Sequence, residues 1–108
     1  FAAAEIACKF NEGKGREDLK ANVEQFIQWL ETNDNGEQFS FGIYNPVGED
    51  QADFYWFNWH TDFDSMARGT ANWEENGKAM QAKINATATC SDPNLYNGGQ
   101  FYASDSAE

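Results

Sequence analysis

Apolar and polar side chains alternate along residues 2–10, AAAEIACKF. Ala4, Ile6, Cys8 and Phe10 fall on one side, and Ala3, Glu5, Ala7 and Lys9 on the other. A period of two predicts a strand. NEGKG (11–15) breaks the pattern with glycine and charge and reads as a loop. From residue 16 to residue 31 the period changes. Leu19, Val23, Phe26, Ile27 and Leu30 make one apolar stripe, with Glu17, Lys20, Glu24, Gln28 and Glu31 around it, as on a helix packed by one face. TNDNG (32–36) ends it, with Gly36 or an Asn suited to a left-handed stop. Phe39, Phe41 and Ile43 then alternate with Ser40, Gly42 and Tyr44. NPVGED (45–50) is a turn, and a further strand runs from about Asp53 to His60, closing a hairpin.

Thr61 or Asp62 can cap the next helix, whose inward stripe is Phe63, Met66, Ala67, Thr70 and Trp73. Glu74 and Glu75 near its end oppose the helix dipole, so its stability must come from packing. Asn76-Gly77 ends or kinks it, and GKAMQAKINA continues for another turn or two. The threonines of ATATCSD (86–92) favour a last strand. After Pro93, Asn97-Gly98 suits a tight turn between Leu95-Tyr96 and Phe101-Tyr102. This predicts a small hairpin or an arm laid on a partner, with ASDSAE (103–108) frayed. The order β-α-β-β-α-β predicts one ferredoxin-like α+β domain over residues 1–108, with a C-terminal arm from about 93. Its four-stranded antiparallel sheet carries the helices on one face.

That architecture makes residues 53–63, DFYWFNWHTDF, the most informative stretch. One face of the strand carries Tyr55, Phe57 and Trp59, for which packing against the two helices suffices. The other carries Phe54, Trp56, Asn58 and His60. The alternation does not say which face meets the helices. Both faces are apolar, so the sheet left bare is an association surface. This predicts a homodimer in which two sheets pack face to face as an eight-stranded barrel. Asn58 and His60, two residues apart, point the same way. They read either as orienting groups in an apolar pocket or as strand-end groups bonded to the loop or the partner subunit.

The 108 residues fit a single domain able to bury about two thirds of its unfolded surface. Eighteen acidic against seven basic residues give a net charge of -11. That potential repels phosphate backbones and anionic membrane surfaces, and excludes nucleic acid and membrane as partners. No apolar run is long enough for a membrane span. Phe1-Ala2-Ala3-Ala4 fits either the remnant of a signal cleavage site or the start of the first strand. Cys8 and Cys90 lack the companions a zinc site needs. In the predicted topology the first and last strands are antiparallel neighbours. The two cysteines are therefore either reduced thiols or one long-range disulfide, the latter implying an oxidising compartment. The sequence assigns no metal, cofactor, catalytic residue or compartment. It has no GxSxG elbow and no phosphate loop.

The order of elements, the aromatic third strand and the doubly apolar sheet resemble the dimeric α/β-barrel superfamily of ferredoxin-like proteins, over about residues 2–92. That superfamily includes the antibiotic-biosynthesis monooxygenase group, haem-degrading monooxygenases and stress-responsive barrel proteins. The resemblance implies a flat or elongated apolar molecule bound beside the sheet. In the monooxygenases the site lies between sheet and helices. Some haem-degrading members use an Asn, a Trp and a His. Here Asn58, Trp59 and His60 stand in a row, but alternation puts Trp59 on the opposite face, so Trp56 or Trp73 is the better placed partner. His60, the only histidine, is a candidate general base or axial haem ligand. Two functions follow. One is a binding protein for a fatty-acid-like or aromatic molecule, held by Phe26, Phe41, Trp56, Asn58, His60 and Trp73. The other is a cofactor-independent monooxygenase-like enzyme acting on an aromatic or polyketide-like substrate.

Overall fold

In chain order the elements are β1 (Ala2–Phe10), α1 (Arg16–Thr32), β2 (Phe39–Tyr44), β3 (Phe54–His60), α2 (Phe63–Asn76), α3 (Lys78–Thr87), β4 (Ala88–Cys90) and β5 (Asn94–Asn97). The structure, a computed structural model, describes residues 1–102. The fraying expected for 103–108 lies outside the described residues. The sheet runs β2-β3-β1-β4, with β5 also pairing β1, and every pairing is antiparallel. This is the ferredoxin-like α+β arrangement, with the first and last strands adjacent.

Strand register sorts the side chains into two faces. Ala4 pairs with Asn58, which pairs with Phe41; Ile6 pairs with Trp56, which pairs with Ile43. These residues share the face covered by helices, where Cys8, Leu19, Phe26, Phe54, Trp56, Met80 and Ala88 form the buried core. Phe26 of α1 is its hub. Its ring lies 5.0 Å from Phe41 and 5.4 Å from both Trp56 and Trp73. Such tilted aromatic pairs add about 0.5–1.5 kcal/mol each beyond the area they bury. Tyr55, Phe57 and Trp59, for which packing on the helices was expected, instead occupy the outer face. There Phe57 packs on Tyr44 at 4.5 Å and on Trp59 at 5.7 Å. Trp59 reaches over Gly42, where a Cβ would come to 3.3 Å from its ring.

Local chemistry sets the helix ends. The Asp62 carboxylate accepts from Ser65 N–H at 2.8 Å and caps α2. The Asp18 carboxylate accepts from Gly15 N–H at 2.9 Å and closes the start of α1. α1 stops without a left-handed residue at its cap. The Asn33 amide Nδ2 donates to Trp29 O at 2.9 Å, and Gly36 takes its positive φ later, in the loop. Gly77 divides α2 from α3.

The last strand is shorter than expected. Residues 86 and 87 remain helical, and only Ala88–Cys90 is strand. Strand propensity loses here to a tertiary contact, because the Thr87 hydroxyl accepts from Asn22 Nδ2 at 2.6 Å in the interior. Nor does Asn97-Gly98 fold Phe101-Tyr102 back as a hairpin. β5 instead pairs with β1, through Ala3–Tyr96 and Ala4–Leu95. Pro93, which has no N–H to donate, falls between β4 and β5 along this shared edge.

Candidate functional site

Between the inner sheet face and the helices lies a partly open cavity of about 740 Å³. That volume falls within the range of small-molecule sites. β1 supplies Ala4, Ile6 and Cys8 as a small and apolar floor, with Phe54, Trp56, Asn58 and His60 of β3 beside them. α1 contributes Phe26 and Trp29, and α2 contributes Met66 and Trp73. Trp29 and Trp73 meet at 4.8 Å, and Trp29 Nε1–H donates to Asn76 O at 3.0 Å, which ties α1 to the end of α2. Three of the four tryptophans therefore border the cavity, and Trp59 alone faces away.

Of the six residues singled out for ligand binding, five line this cavity: Phe26, Trp56, Asn58, His60 and Trp73. Phe41 stands behind them. Its ring stacks on Trp56 at 5.1 Å and supports the wall without bordering the space. Asn58 and His60 both face the helices, and neither bonds a loop among the described residues.

The orientation of Asn58 follows from its neighbour. Trp56 Nε1–H donates to Asn58 Oδ1 at 2.8 Å. An indole N–H can only donate, so the amide oxygen must face Trp56 and the NH₂ must point away. Asn58 Nδ2 has no hydrogen-bond acceptor among the described residues.

His60 is half-buried. Its ring lies 5.0 Å from Phe39 and against α2 at Gly69, where a Cβ would approach Cε1 to 3.0 Å. Glycine at 69 lets the helix backbone close on the imidazole. Burial pushes the His60 pKa below its ordinary value of 6.5, and the negative charge of Glu37 opposes this more weakly. Its Nδ1 is buried without a hydrogen-bond partner among the described residues. The ring is therefore biased to the neutral form, which can accept or donate a proton.

Sequence patterning missed Asn22. It is 6% exposed, borders the cavity, and is held by Thr87. The signal was a polar residue at an apolar position: Asn22 falls between Leu19 and Phe26 on the stripe of α1.

Cys8 and Cys90 are joined by a disulfide, with their Cα atoms 4.1 Å apart as direct register partners of β1 and β4. Ser91 N–H donates to Ala7 O at 2.8 Å in the neighbouring pair, so the cysteines occupy the close, non-hydrogen-bonded position. Both also border the cavity, as do Pro93 and Leu95 beyond them.

The charge of the lining is one-sided. Asp34 and Glu37 lie at its edge, and no Lys or Arg borders it among the described residues. Arg68, 58% exposed, is paired with Glu37 outside the cavity. A haem, which histidine ligation would bring, carries two carboxylates, and these residues offer them no cation. The lining does not fit that group. Among the described residues no cluster of His, Cys, Asp and Glu could hold a metal ion, and no helix is long and apolar enough to cross a membrane.

No protein-family model matches the chain, and no curated protein matches it in sequence. Solved structures do match its fold. A candidate chlorite dismutase aligns with a TM-score of 0.52 and 16% identity over 87% of this chain and 41% of that longer one. HapK from Hahella chejuensis aligns with a TM-score of 0.63 and 11% identity, over 96% of this chain and 99% of HapK. This chain thus spans less than half of the first neighbour and nearly all of the second. Neither points specifically to the antibiotic-biosynthesis monooxygenases, and identities this low speak to the fold alone. By strand order and by these neighbours, the chain has the ferredoxin-like α+β fold.

Proposed function

We propose that this protein binds a small apolar molecule in the cavity between its sheet and helices. The observation that carries the reading is the inner face of β3, where Trp56, Asn58 and His60 border about 740 Å³ ringed by Phe26, Trp29 and Trp73. An apolar wall with few, fixed polar groups is what orients a flat ligand. Native mass spectrometry of the purified protein, followed by denaturation and solvent extraction, tests it. The expected result is a released apolar compound, or saturable binding when aromatic ligands are added. A protein that releases nothing and binds no aromatic ligand contradicts the reading.

A second reading, catalysis, is favoured by one observation. Asn58 and His60 share the cavity with Trp56 and Trp73, and burial biases His60 to the neutral, basic form. His60 would then act as general base and Asn58 as donor to developing negative charge, in a monooxygenase-like step in which dioxygen oxidises a CH2 group of an aromatic or polyketide-like substrate to C=O, the second oxygen atom leaving as water. Loss of turnover in His60→Ala and Asn58→Ala, with binding retained, is expected. Unchanged turnover of a verified substrate removes both assignments.

The outer sheet face supports a homodimer. Tyr44, 51% exposed, lies with Phe57 and Trp59 in one aromatic cluster on that face. Two such faces brought together would bury it and complete a barrel. Sedimentation is expected to give a dimer that Phe57→Glu dissociates; a monomeric wild type contradicts it.

A further inference from the structure

We propose that the cavity selects an uncharged aromatic ligand bearing a hydrogen-bond acceptor, of the ketone or amide class, and discriminates against carboxylates of the same shape. This rests on the binding reading above and narrows the fatty-acid-like or aromatic alternatives to one chemistry.

Two independent features carry it. The first is the fixed amide of Asn58. Trp56 Nε1–H holds Oδ1 at 2.8 Å, so the amide cannot turn over without setting two donors against each other. Asn58 therefore presents Nδ2–H to the cavity as a donor, and a ligand atom meeting it must accept. A carbonyl oxygen does so; an alkyl group leaves the N–H without a partner once water is displaced. The second feature is charge. A carboxylate also accepts, but it requires a cation or several donors to offset its lost hydration. No Lys or Arg borders the cavity among the described residues, while Asp34 and Glu37 do, and the one nearby guanidinium, Arg68, is engaged by Glu37. The net charge of -11 adds to the same sign. The pKa of His60 is lowered by burial, so the imidazole does not supply the missing cation near neutral pH.

Three naphthalenes of nearly equal shape separate these features: 2-acetonaphthone, 2-naphthoate and 2-isopropenylnaphthalene. Their binding to the wild-type protein at pH 7.5 is read by equilibrium dialysis. The ketone is expected to bind tightest. The carboxylate should bind at least about tenfold more weakly, from uncompensated desolvation. The alkene should bind about threefold or more weakly, from the lost hydrogen bond. Asn58→Leu should abolish the preference of ketone over alkene and leave the rejection of naphthoate. The wild-type comparison stands even if that variant does not fold. Naphthoate binding as tightly as the ketone, or alkene binding as tightly as the ketone, overturns the proposal while the binding reading survives. Binding of none of the three overturns both.

Discussion

Removal of the Cys8–Cys90 bridge tests the architecture that shapes the cavity. The bond links residues 82 positions apart, spanning most of the chain. In the chain-entropy model, opening a loop of that length restores freedom to the unfolded state and costs about 4.5 kcal/mol at 25 °C. A domain of this size has a total stability of about 5–15 kcal/mol, so the bridge supplies a large share of it. With an unfolding entropy of about 2.1 cal/mol/K per residue, the loss corresponds to a fall in Tm of about 20 °C. The double variant Cys8→Ala/Cys90→Ala and the wild type reduced with a phosphine should therefore melt alike by calorimetry, both far below the oxidised protein. Cys8 is 2% exposed, so the alanine also leaves a small gap and places the variant slightly lower. Ligand affinity should fall with stability, because β4, the link after it and β5 carry Cys90, Pro93 and Leu95 in turn at the cavity. A loss below about 1 kcal/mol, with both thiols shown to be free, would refute the loop-closure reasoning.

Three further perturbations follow from single contacts. His60 has a folded-state pKa below its unfolded value. Its contribution to stability is full above about pH 6.5 and is lost as pH falls through the folded pKa. NMR titration of its Cε1 proton should give a midpoint below that of the denatured chain, and a midpoint at or above it would contradict the burial. Thr87→Val leaves Asn22 Nδ2 unpaired in the interior and should cost about 1–3 kcal/mol in urea unfolding. The double variant Asn22→Leu/Thr87→Val should recover most of that, and strictly additive losses would speak against the pair. Asp62→Ala removes the cap of α2 and should cost about 1 kcal/mol, whereas Asp62→Asn should cost less; equal losses from both would point to another role for Asp62.

The fold was legible because its periods are clean. Alternation over 2–10 and 39–44, and the stripe through Leu19, Val23, Phe26 and Leu30, each fit one element only. The orientation of β3 was not legible. Both of its faces are aromatic, and a period of two separates the faces without saying which one a helix covers. What decides it is company across the sheet: Ala4, Ile6 and Cys8 share a face with Asn58, Trp56 and Phe54. Asn22 was hidden for the opposite reason. One polar residue in an apolar stripe looks like noise until its partner Thr87, 65 positions away, is in view. That same contact explains why residues 86–87 read as strand and fold as helix. Phe41 shows a subtler limit, since periodicity gives its face but not that it stacks on Trp56 without bordering the cavity.

If the space between sheet and helices is a ligand site, filling it must abolish binding. The most direct measurement is a titration with 2-acetonaphthone by equilibrium dialysis, on the wild type and on Thr70→Trp, which places an indole in the cavity from α2. One saturable site per chain is expected in the wild type, and its loss in the variant while the fold, read by circular dichroism, is retained. Absence of saturable binding, or binding that survives the filled cavity, would contradict it.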